Sequence, residues 1–499
     1  MKHRHRPLTA TLSPEYRGEG AGTGHFSRSR LRERAGVRAL LFAAAFALSA
    51  CAVGPAYERP SSASPPAFKG APQADAGWFP AAPADALDRG PWWELFGDAD
   101  LNALMVQVDV SNQNVAAAVA AYAQAQALVR EQRASLFPQL ALDGSAKRSD
   151  GGASAGTANS LQLAASASWE ADLWGRLRAG VASAQASAQA SDADLAAARL
   201  SVQGALATNY FSLRDADTEL ALVRSTVEAF ERAFTITRNR YAAGIAPRTD
   251  VLQAQTQLAN ARADLATLTN QRAQLEHAVA VLVGKAPAEF ALPVAAWNMA
   301  VPAVPLVVPS ELLQRRPDIA SSERAVAAAN AQIGIQRAAY FPSLGLSGSI
   351  GTAGSRVGDL FSASSTLWSL GVSVAQTLFD AGATRARVEA SVAARDAAIA
   401  RYRQTVLTAF LAVEDQLSTS RALAEQAGLR RAASEAADLT EQQLLNRYKA
   451  GQVSYTEVVT AQASALSARR TLAQLAANRQ AAAIGLIQAL GGGWRGGGE

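Results

Sequence analysis

The heptapeptide LFPQLAL at residues 136–142 returns as YFPSLGL at residues 340–346. Two further matches follow in the same order. Leu173-Trp174 ahead of RLRAG pairs with Leu378-Phe379 ahead of ATRAR, and Arg240-Tyr241-Ala242-Ala243-Gly244 pairs with Arg447-Tyr448-Lys449-Ala450-Gly451. The spacing between partners drifts only from about 204 to about 207 residues, so one architecture is written twice along the chain. Each copy reads as a long helix, two strands, a long helix, a turn and another long helix.

The helical stretches are rich in Ala, Gln, Leu and Arg and nearly free of Gly and Pro, a composition that favours helix. After Gly244, Val251, Leu258, Leu265 and Val279 fall on a seven-residue spacing that Arg272 interrupts. Ala254, Ala261, Leu268, Leu275 and Leu282 fill the second seam position. This heptad pattern is the signature of coiled-coil packing. The second copy repeats it with Val458, Ala465, Leu472 and Leu486, and with an interruption at Arg479. Residues 172–236 are expected to run as one helix near 90 Å long, at about 1.5 Å per residue.

The strands alternate. Leu140, Leu142 and Ala146 alternate with Gln139, Asp143, Ser145 and Lys147, and Leu161, Leu163, Ala165, Ala167 and Trp169 alternate with polar or small neighbours. Leu344, Leu346 and Ile350, then Trp368, Leu370, Val372 and Val374, repeat the pattern. Each segment has the roughly 10-residue length of a tilted transmembrane strand with one face to lipid. No run of 18 apolar residues follows Cys51, so spanning helices are excluded. Four strands cannot close a barrel, and an open edge cannot sit in hydrocarbon with its backbone groups unpaired. The chain must therefore assemble from several copies, in a number the residues alone do not fix.

Composition agrees with export. Nine of the 47 Lys and Arg residues and three of the 42 Asp and Glu residues lie within residues 1–50. The remaining 38 basic and 39 acidic residues nearly cancel, so the body carries no electrostatic footprint for nucleic acid. Arg28, Arg30, Arg32, Arg34 and Arg38 precede the short apolar run ALLFAAAFALSA at 39–50, the plan of an export signal. The residues before about Arg28 do not fit that plan, and the true start is expected near Leu31 or Val37. Leu48-Ser49-Ala50-Cys51 resembles a bacterial lipobox, which implies cleavage before Cys51 and diacylglycerol on its sulfur. Ala52, where inner-membrane lipoproteins carry aspartate, favours the outer membrane. The alternative reading is an ordinary signal with a chance cysteine.

Several motifs in order also resemble the TolC-like outer membrane factors of the lipoprotein (NodT-type) subgroup. They are Cys51-Ala52-Val53-Gly54-Pro55-Ala56-Tyr57, Trp92-Trp93-Glu94-Leu95-Phe96-Gly97-Asp98, Pro309-Ser310-Glu311-Leu312-Leu313, Arg315-Arg316-Pro317-Asp318-Ile319 and the closing ALGGGW. The resemblance implies a membrane α+β fold. Three chains would form a trimeric duct in which a 12-stranded transmembrane β-barrel, four strands per chain, continues into a long periplasmic α-helical barrel. It also implies docking onto a periplasmic adaptor and an inner-membrane pump, commonly of the resistance–nodulation–division type. On this plan residues 1–50 are leader, 51–98 a lipid-anchored extended segment, and 99–285 the first repeat with its hairpin at about 138–171. Residues 286–309 form a Pro-rich equatorial linker, 310–492 the second repeat with its hairpin at about 342–378, and 493–499 a disordered tail.

The implied gate lies at the periplasmic helix tips, where the resemblance selects Arg240, Tyr241 and Asp250 in the first copy and Arg447, Tyr448 and Glu457 in the second. Asp250 and Glu457 have two open readings: lining of the lumen, where a trimer would gather six carboxylates, or helix capping after a turn. Thr460 stands where many members carry aspartate, so Glu457 is the substitute acid in that reading. Arg447 and Tyr448 have a second reading as adaptor contacts. Pro317 and Asp318 suit a helix first turn, which makes RRPDI structural punctuation.

The remaining classes fit poorly. His277 is the one histidine after the leader, and no nucleophile elbow, phosphate loop or dinucleotide fingerprint occurs, so neither enzyme nor metal cofactor is expected. Met1, Met105 and Met299 form no soft-ligand cluster, which argues against copper or silver as cargo. Small-molecule efflux is the expected function. A polypeptide-secretion duct and a structural coiled-coil envelope lipoprotein are the alternatives.

Overall fold

The computed structural model describes residues 53–62, 64–69, 90–150, 157–295, 297–304 and 315–492; the leader, the anchor residue Cys51, residues 70–89, 151–156 and 305–314 and the 493–499 tail lie outside them. Among the described residues no helix is long and apolar enough to cross a membrane.

Among the described residues seven α-helices and four strands follow one another. The first half contains α1 (Ala99–Ser111), α2 (Gln113–Ala134), β1 (Gln139–Asp150), β2 (Thr157–Ala171), α3 (Arg176–Ala242) and α4 (Arg248–Leu282). The second contains α5 (Pro317–Ala338), β3 (Ser343–Gly354), β4 (Thr366–Ala375), α6 (Ala383–Lys449) and α7 (Tyr455–Ala489). Helices α2 and α5 each have 22 residues, α3 and α6 each 67, and α4 and α7 each 35. At about 1.5 Å per residue, α3 and α6 are each roughly 100 Å long.

Local chemistry sets the boundaries. Asn112 Oδ1 accepts from the backbone N–H groups of Asn114 (2.9 Å) and Val115 (3.1 Å) and separates α1 from α2. The strand-to-helix turns before α3 and α6 pass through left-handed Gly175 and Gly382, with φ of 78° and 89°. Helix α3 therefore begins four residues later than the sequence suggests, and it runs on to Ala242. Asp172 accepts from the first N–H groups of α3 at Leu177 and Arg178, and Asp380 accepts from Thr384 N–H at the start of α6. Helix α5 opens at Pro317, where Arg316 bridges Asp318 at 2.6 Å and donates to the Ala489 carbonyl at the end of α7.

The strands form one antiparallel sheet in the order β1-β2-β3-β4, so β2 against β3 joins the two halves. In the helical region α3 is central: it packs on α2 and α4 of its own half and on α5 and α7 of the other. A core of Trp92, Phe96, Met105, Phe211, Val279 and Ile487 ties the N-terminal helices to α3, α4 and α7. The chain after Val53 is laid along the second half. The Val53 N–H donates to the Trp174 carbonyl (3.3 Å), Asn330 donates to the Pro55 carbonyl (3.0 Å), and the Tyr57 hydroxyl bonds Glu323. Lower down, Arg403 donates to the Ser61 carbonyl, the Lys69 N–H donates to Glu414 (2.7 Å), and Phe68 buries beside Phe410.

Arg272, which breaks the heptad of α4, has a task at mid-height. It pairs with Asp217 of α3 (2.6 Å) and donates to the Leu292 carbonyl, while Arg214 donates to the Pro293 carbonyl (2.8 Å). From the other half, Gln480 of α7 donates to the carbonyls of Asn298 (2.8 Å) and Ala300 (2.9 Å). A polar side chain at a seam position is tolerated here because each of its groups is bonded. The linker is thereby stitched to both halves at one level.

Candidate functional site

Residues directly opposite across an antiparallel ladder share a face. Leu140 lies opposite Ala167, Leu142 opposite Ala165, Leu346 opposite both Trp169 and Val372, and Ile350 opposite both Ala165 and Trp368. One face is therefore apolar over most of its height, with Arg148, Asp150, Thr157, Asn159, Thr352 and Thr366 sharing it only towards the hairpin ends, and it is bare: Leu140, Leu370 and Trp368 keep 83%, 81% and 73% of their surface exposed. The opposite face carries Gln139, Asp143, Ser145 and Lys147 on β1, then Gln162, Ser166 and Ser168, Ser347 and Ser349, and Ser369 and Ser373. Ser349 and Ser369 share a 2.9 Å hydrogen bond there. Large exposed apolar patches mark a membrane or partner surface. A sheet with one bare apolar face and one hydroxyl-rich face suits hydrocarbon on one side and water on the other.

The far ends of the helices come together. Gly244 and Gly451 have φ of 73° and 77°, which glycine adopts without steric penalty. The Ile245 N–H donates to the Arg240 carbonyl and the Gln452 N–H to the Arg447 carbonyl, each completing a Schellman turn. The RYxAG motif is thus the C-terminal cap of each long helix. Its arginine acts in the turn through its carbonyl, which leaves the side chain available.

Those side chains differ between the copies. The Arg240 guanidinium lies 5.1 Å from the centroid of the Tyr448 ring, so the first tip grips the second. Tyr448 in turn meets Tyr455 at 5.5 Å, and Tyr455 packs with Ala254 and Val459. Thr456 of α7 bonds Gln253 of α4 at 3.0 Å. Among the described residues neither Tyr448 nor Tyr455 has a partner for its hydroxyl oxygen. Burial, with Tyr448 and Asp250 beside it, pushes the Tyr455 phenol up to about 12. Tyr241 and Arg447, the repeat mates of Tyr448 and Arg240, are exposed.

The two acids also differ. One Glu457 carboxylate oxygen accepts from Ser454, from its N–H and its hydroxyl at 3.1 Å each, so Glu457 caps α7. Asp250 occupies the matching first turn of α4, where the capping position is Pro247 with no side-chain bond. Tyr448 and Asp250 thus lie beside Tyr455, and Arg240 joins the cluster through the Tyr448 ring. Tyr455 was not among the sequence candidates; its place four residues after a left-handed glycine was the available signal.

Comparison with known proteins agrees with this geometry. The outer membrane efflux protein profile matches residues 104–285 and 308–492. The chain belongs to the outer membrane efflux protein family. It is 32% identical to outer membrane protein OprJ of Pseudomonas aeruginosa over 92% of this chain and 96% of that protein. It is 30% identical to cation efflux system protein CusC of Escherichia coli O6:H1 over 91% and 98%. The solved outer-membrane channel OprN superposes with a TM-score of 0.77 at 30% identity, covering 89% of this chain and all of that one. As a family member the chain is the outer-membrane channel component of an efflux system, not an enzyme, and its fold is the TolC-like combination of β domain and helical barrel.

Where α3 meets α7, this chain buries an acid that Arg470 compensates only in part. Asp215 Oδ1 is buried without a hydrogen-bond partner beside Glu219, which itself pairs with Arg470 at 2.9 Å. Burial, then the Glu219 charge, pushes the Asp215 carboxyl up from 3.8 to about 7. The folded protein therefore holds a proton that the unfolded chain releases near pH 4, and stability falls as pH rises from about 4 through about 7. After allowance for solvent screening the loss is on the order of 1–2 kcal/mol. Asp215→Asn is expected to raise the apparent thermal midpoint of the helical signal at pH 8 and to leave it unchanged at pH 4. A shift of equal size at both pH values would rule this account out.

Proposed function

We propose that three copies of the chain form one duct, closing twelve strands in the outer membrane above a ring of twelve helices in the periplasm. The observation that carries this reading is the open four-stranded sheet with β1 and β4 at its edges. Each unpaired backbone group costs several kcal/mol in hydrocarbon. Pairing β4 of one copy with β1 of the next removes both edges. Two copies would make eight strands, whose interior side chains fill; three make twelve and leave a passage.

On this reading the serine-rich face lines the passage and the leucine-bearing face meets lipid. A diacylglycerol on the Cys51 sulfur and an acyl chain on its nitrogen anchor each chain. Val53, two residues on, is bonded at the junction of strand and helix, the level at which the inner leaflet would end. A periplasmic adaptor and an inner-membrane pump of the resistance–nodulation–division type supply the energy and choose the cargo. The duct conducts small molecules passively. Relatives carry names as different as cation, pyoverdine and toluene export, so the family alone selects no single cargo.

The gate is the cluster of tips. A cation–π contact contributes about 0.5–1 kcal/mol, and three per duct acting together bias closure about 10- to 100-fold. Arg240→Ala keeps the turn, because the turn uses only the carbonyl, and it is expected to raise the open fraction of purified channels in planar bilayers by about that factor. Tyr448→Ala should do the same. Wild-type conductance from both variants would remove the tips from gating.

A further inference from the structure

We propose that the groove between α2 and α3, just below the sheet on the outer face of the helices, binds the phosphate of an anionic phospholipid through Arg130 and Arg133. The inference rests on the membrane reading proposed above and adds a headgroup site to it. The groove offers about 730 Å³ and is lined by Tyr122, Arg130 and Arg133 of α2 and by Gln185 and Gln189 of α3. A neighbouring groove of about 600 Å³ shares those two glutamines and is lined also by Gly54, Pro55 and Tyr57. An anchor on Cys51 sits in lipid outside the passage, so the strap that follows it, and both grooves with it, belong to the outer face. Two contacts set the height. A Cβ at Gly180 would meet Gln132 Oε1 at 3.2 Å, and the Val53 N–H is bonded to the Trp174 carbonyl. Arg133 therefore stands within about two helical turns of the level where the inner leaflet would end. Between it and the sheet, Phe137 is 67% exposed, and Leu140 opens the bare apolar face.

Among the described residues neither Arg130 nor Arg133 has an ion-pair partner, and both are exposed. Arg324 reaches the groove already paired with Glu323 (3.2 Å). The acid in the lining, Asp192, lies about 18 Å further down α3 than Gly180, at about 1.5 Å per residue. The end nearest the membrane thus keeps two uncompensated guanidiniums on successive turns of α2. A guanidinium presents a planar fork that fits phosphate oxygens, and an arginine close to an anionic leaflet draws its headgroups. The repeat explains why this groove is open. At the offset of the LFPQLAL and YFPSLGL match, Gln126 and Arg130 correspond to Asn330 and Gly334. There the strap passes: Asn330 donates to the Pro55 carbonyl (3.0 Å), and a Cβ at Gly54 would stand 3.0 Å from the Gly334 Cα. A side chain at position 334 would block the strap. The first half, with no strap laid over it among the described residues, carries arginine at that position.

Native mass spectrometry of the detergent-purified lipoprotein tests the site, with equal amounts of phosphatidylglycerol and phosphatidylcholine of the same acyl chains as probes. The wild type is expected to retain phosphatidylglycerol in preference. Arg130→Gln with Arg133→Gln should lower that preference about 25-fold, at about fivefold per arginine. Arg130→Lys with Arg133→Lys keeps the charge and should retain most of it. Equal retention of the two lipids by the wild type, or an unchanged preference in the glutamine variant, would overturn the proposal. Displacement of phosphatidylglycerol by an equal concentration of glycerol 3-phosphate would overturn the lipid in favour of a soluble phosphate. The same spectra report assembly. An oligomer without lipid preference would overturn the headgroup site and leave the assembly standing, whereas a monomer that keeps the preference would overturn the assembly and leave the site.

Discussion

Leu370→Lys is expected to abolish most outer-membrane insertion, while Ser369→Lys, one residue away, inserts nearly as wild type. The two side chains leave β4 on opposite faces: Leu370 lies opposite Gly348 on the apolar side, and Ser369 opposite Ser349 on the hydroxyl side. Both sit in the middle of a ten-residue strand, so depth in the bilayer is the same for each. A lysine facing the bilayer midplane costs about 2–4 kcal/mol, and a closed assembly carries that cost once per copy. A lysine facing a water-filled passage loses one serine–serine hydrogen bond and little else, about 1 kcal/mol. The measurement is the fraction of chain recovered from outer membranes in a protease-resistant, oligomeric form. Equal tolerance of the two lysines would mean that the bare apolar face does not meet lipid. Loss of both would mean that the hydroxyl-rich face is not wet.

This contrast was legible in the sequence because strand periodicity reports face directly. Alternation of Leu140 and Leu142 with Gln139 and Asp143 needs no tertiary information, and the ladders place those residues where the alternation puts them. Helix periodicity is less complete evidence. The heptads at Leu258, Ala261 and Leu268 correctly name residues that become buried, but the same spacing could not say that α3 would be covered on both sides and α6 on one. Which neighbour covers a stripe is decided by the order of elements around the assembly, and two copies of one sequence pattern hide that difference. The acids at the tips make the point on a smaller scale. Asp250 and Glu457 hold matching positions, yet only Glu457 finds a serine three residues upstream to cap with; Asp250 has Pro247 there.

The interruption of the heptad at Arg272 was visible in the sequence as a defect, and its cause was not. Beyond Glu276 at i+4, its partners, Asp217 on α3 and the linker carbonyl of Leu292, are 55 and 20 residues away, and no local pattern connects them. Arg214 carries the same lesson. A guanidinium with 1% of its side chain exposed, bonded to Asp100, Asp217, Tyr210 and the Pro293 carbonyl, looks in sequence like an ordinary surface arginine on a long helix. The family match locates the chain among efflux channels without revealing that these two arginines fasten the linker to the first half at mid-height.

Asp217→Ala is therefore the substitution outside the membrane with the largest expected effect. Asp217 is 2% exposed and divides its two oxygens between Arg272 (2.6 Å) and Arg214 (3.4 Å). Removing it leaves two guanidiniums sharing a desolvated site without the charge between them, a loss of about 3–5 kcal/mol. Asp217→Asn keeps the volume and one acceptor, so it should cost less, about 1–3 kcal/mol. The damage should reach further than the site, because the same arginines hold the carbonyls of Leu292 and Pro293. With the arginines displaced, the hydrogen bonds from the linker to the first half would be reduced to those of the Leu292 N–H to Glu276 (2.7 Å) and of Asn298 to the Phe96 carbonyl (3.4 Å), while Gln480 and Trp297 hold it to the second. The predicted signature is cleavage by a broad-specificity protease between residues 286 and 304, giving two fragments of similar size, faster for Asp217→Ala than for Asp217→Asn and slowest for wild type. A lowered thermal midpoint without that cleavage would make Asp217 an ordinary helix-packing residue. Unchanged cleavage and midpoint together would mean that the linker is held by its apolar contacts and that the charged cluster merely accompanies them.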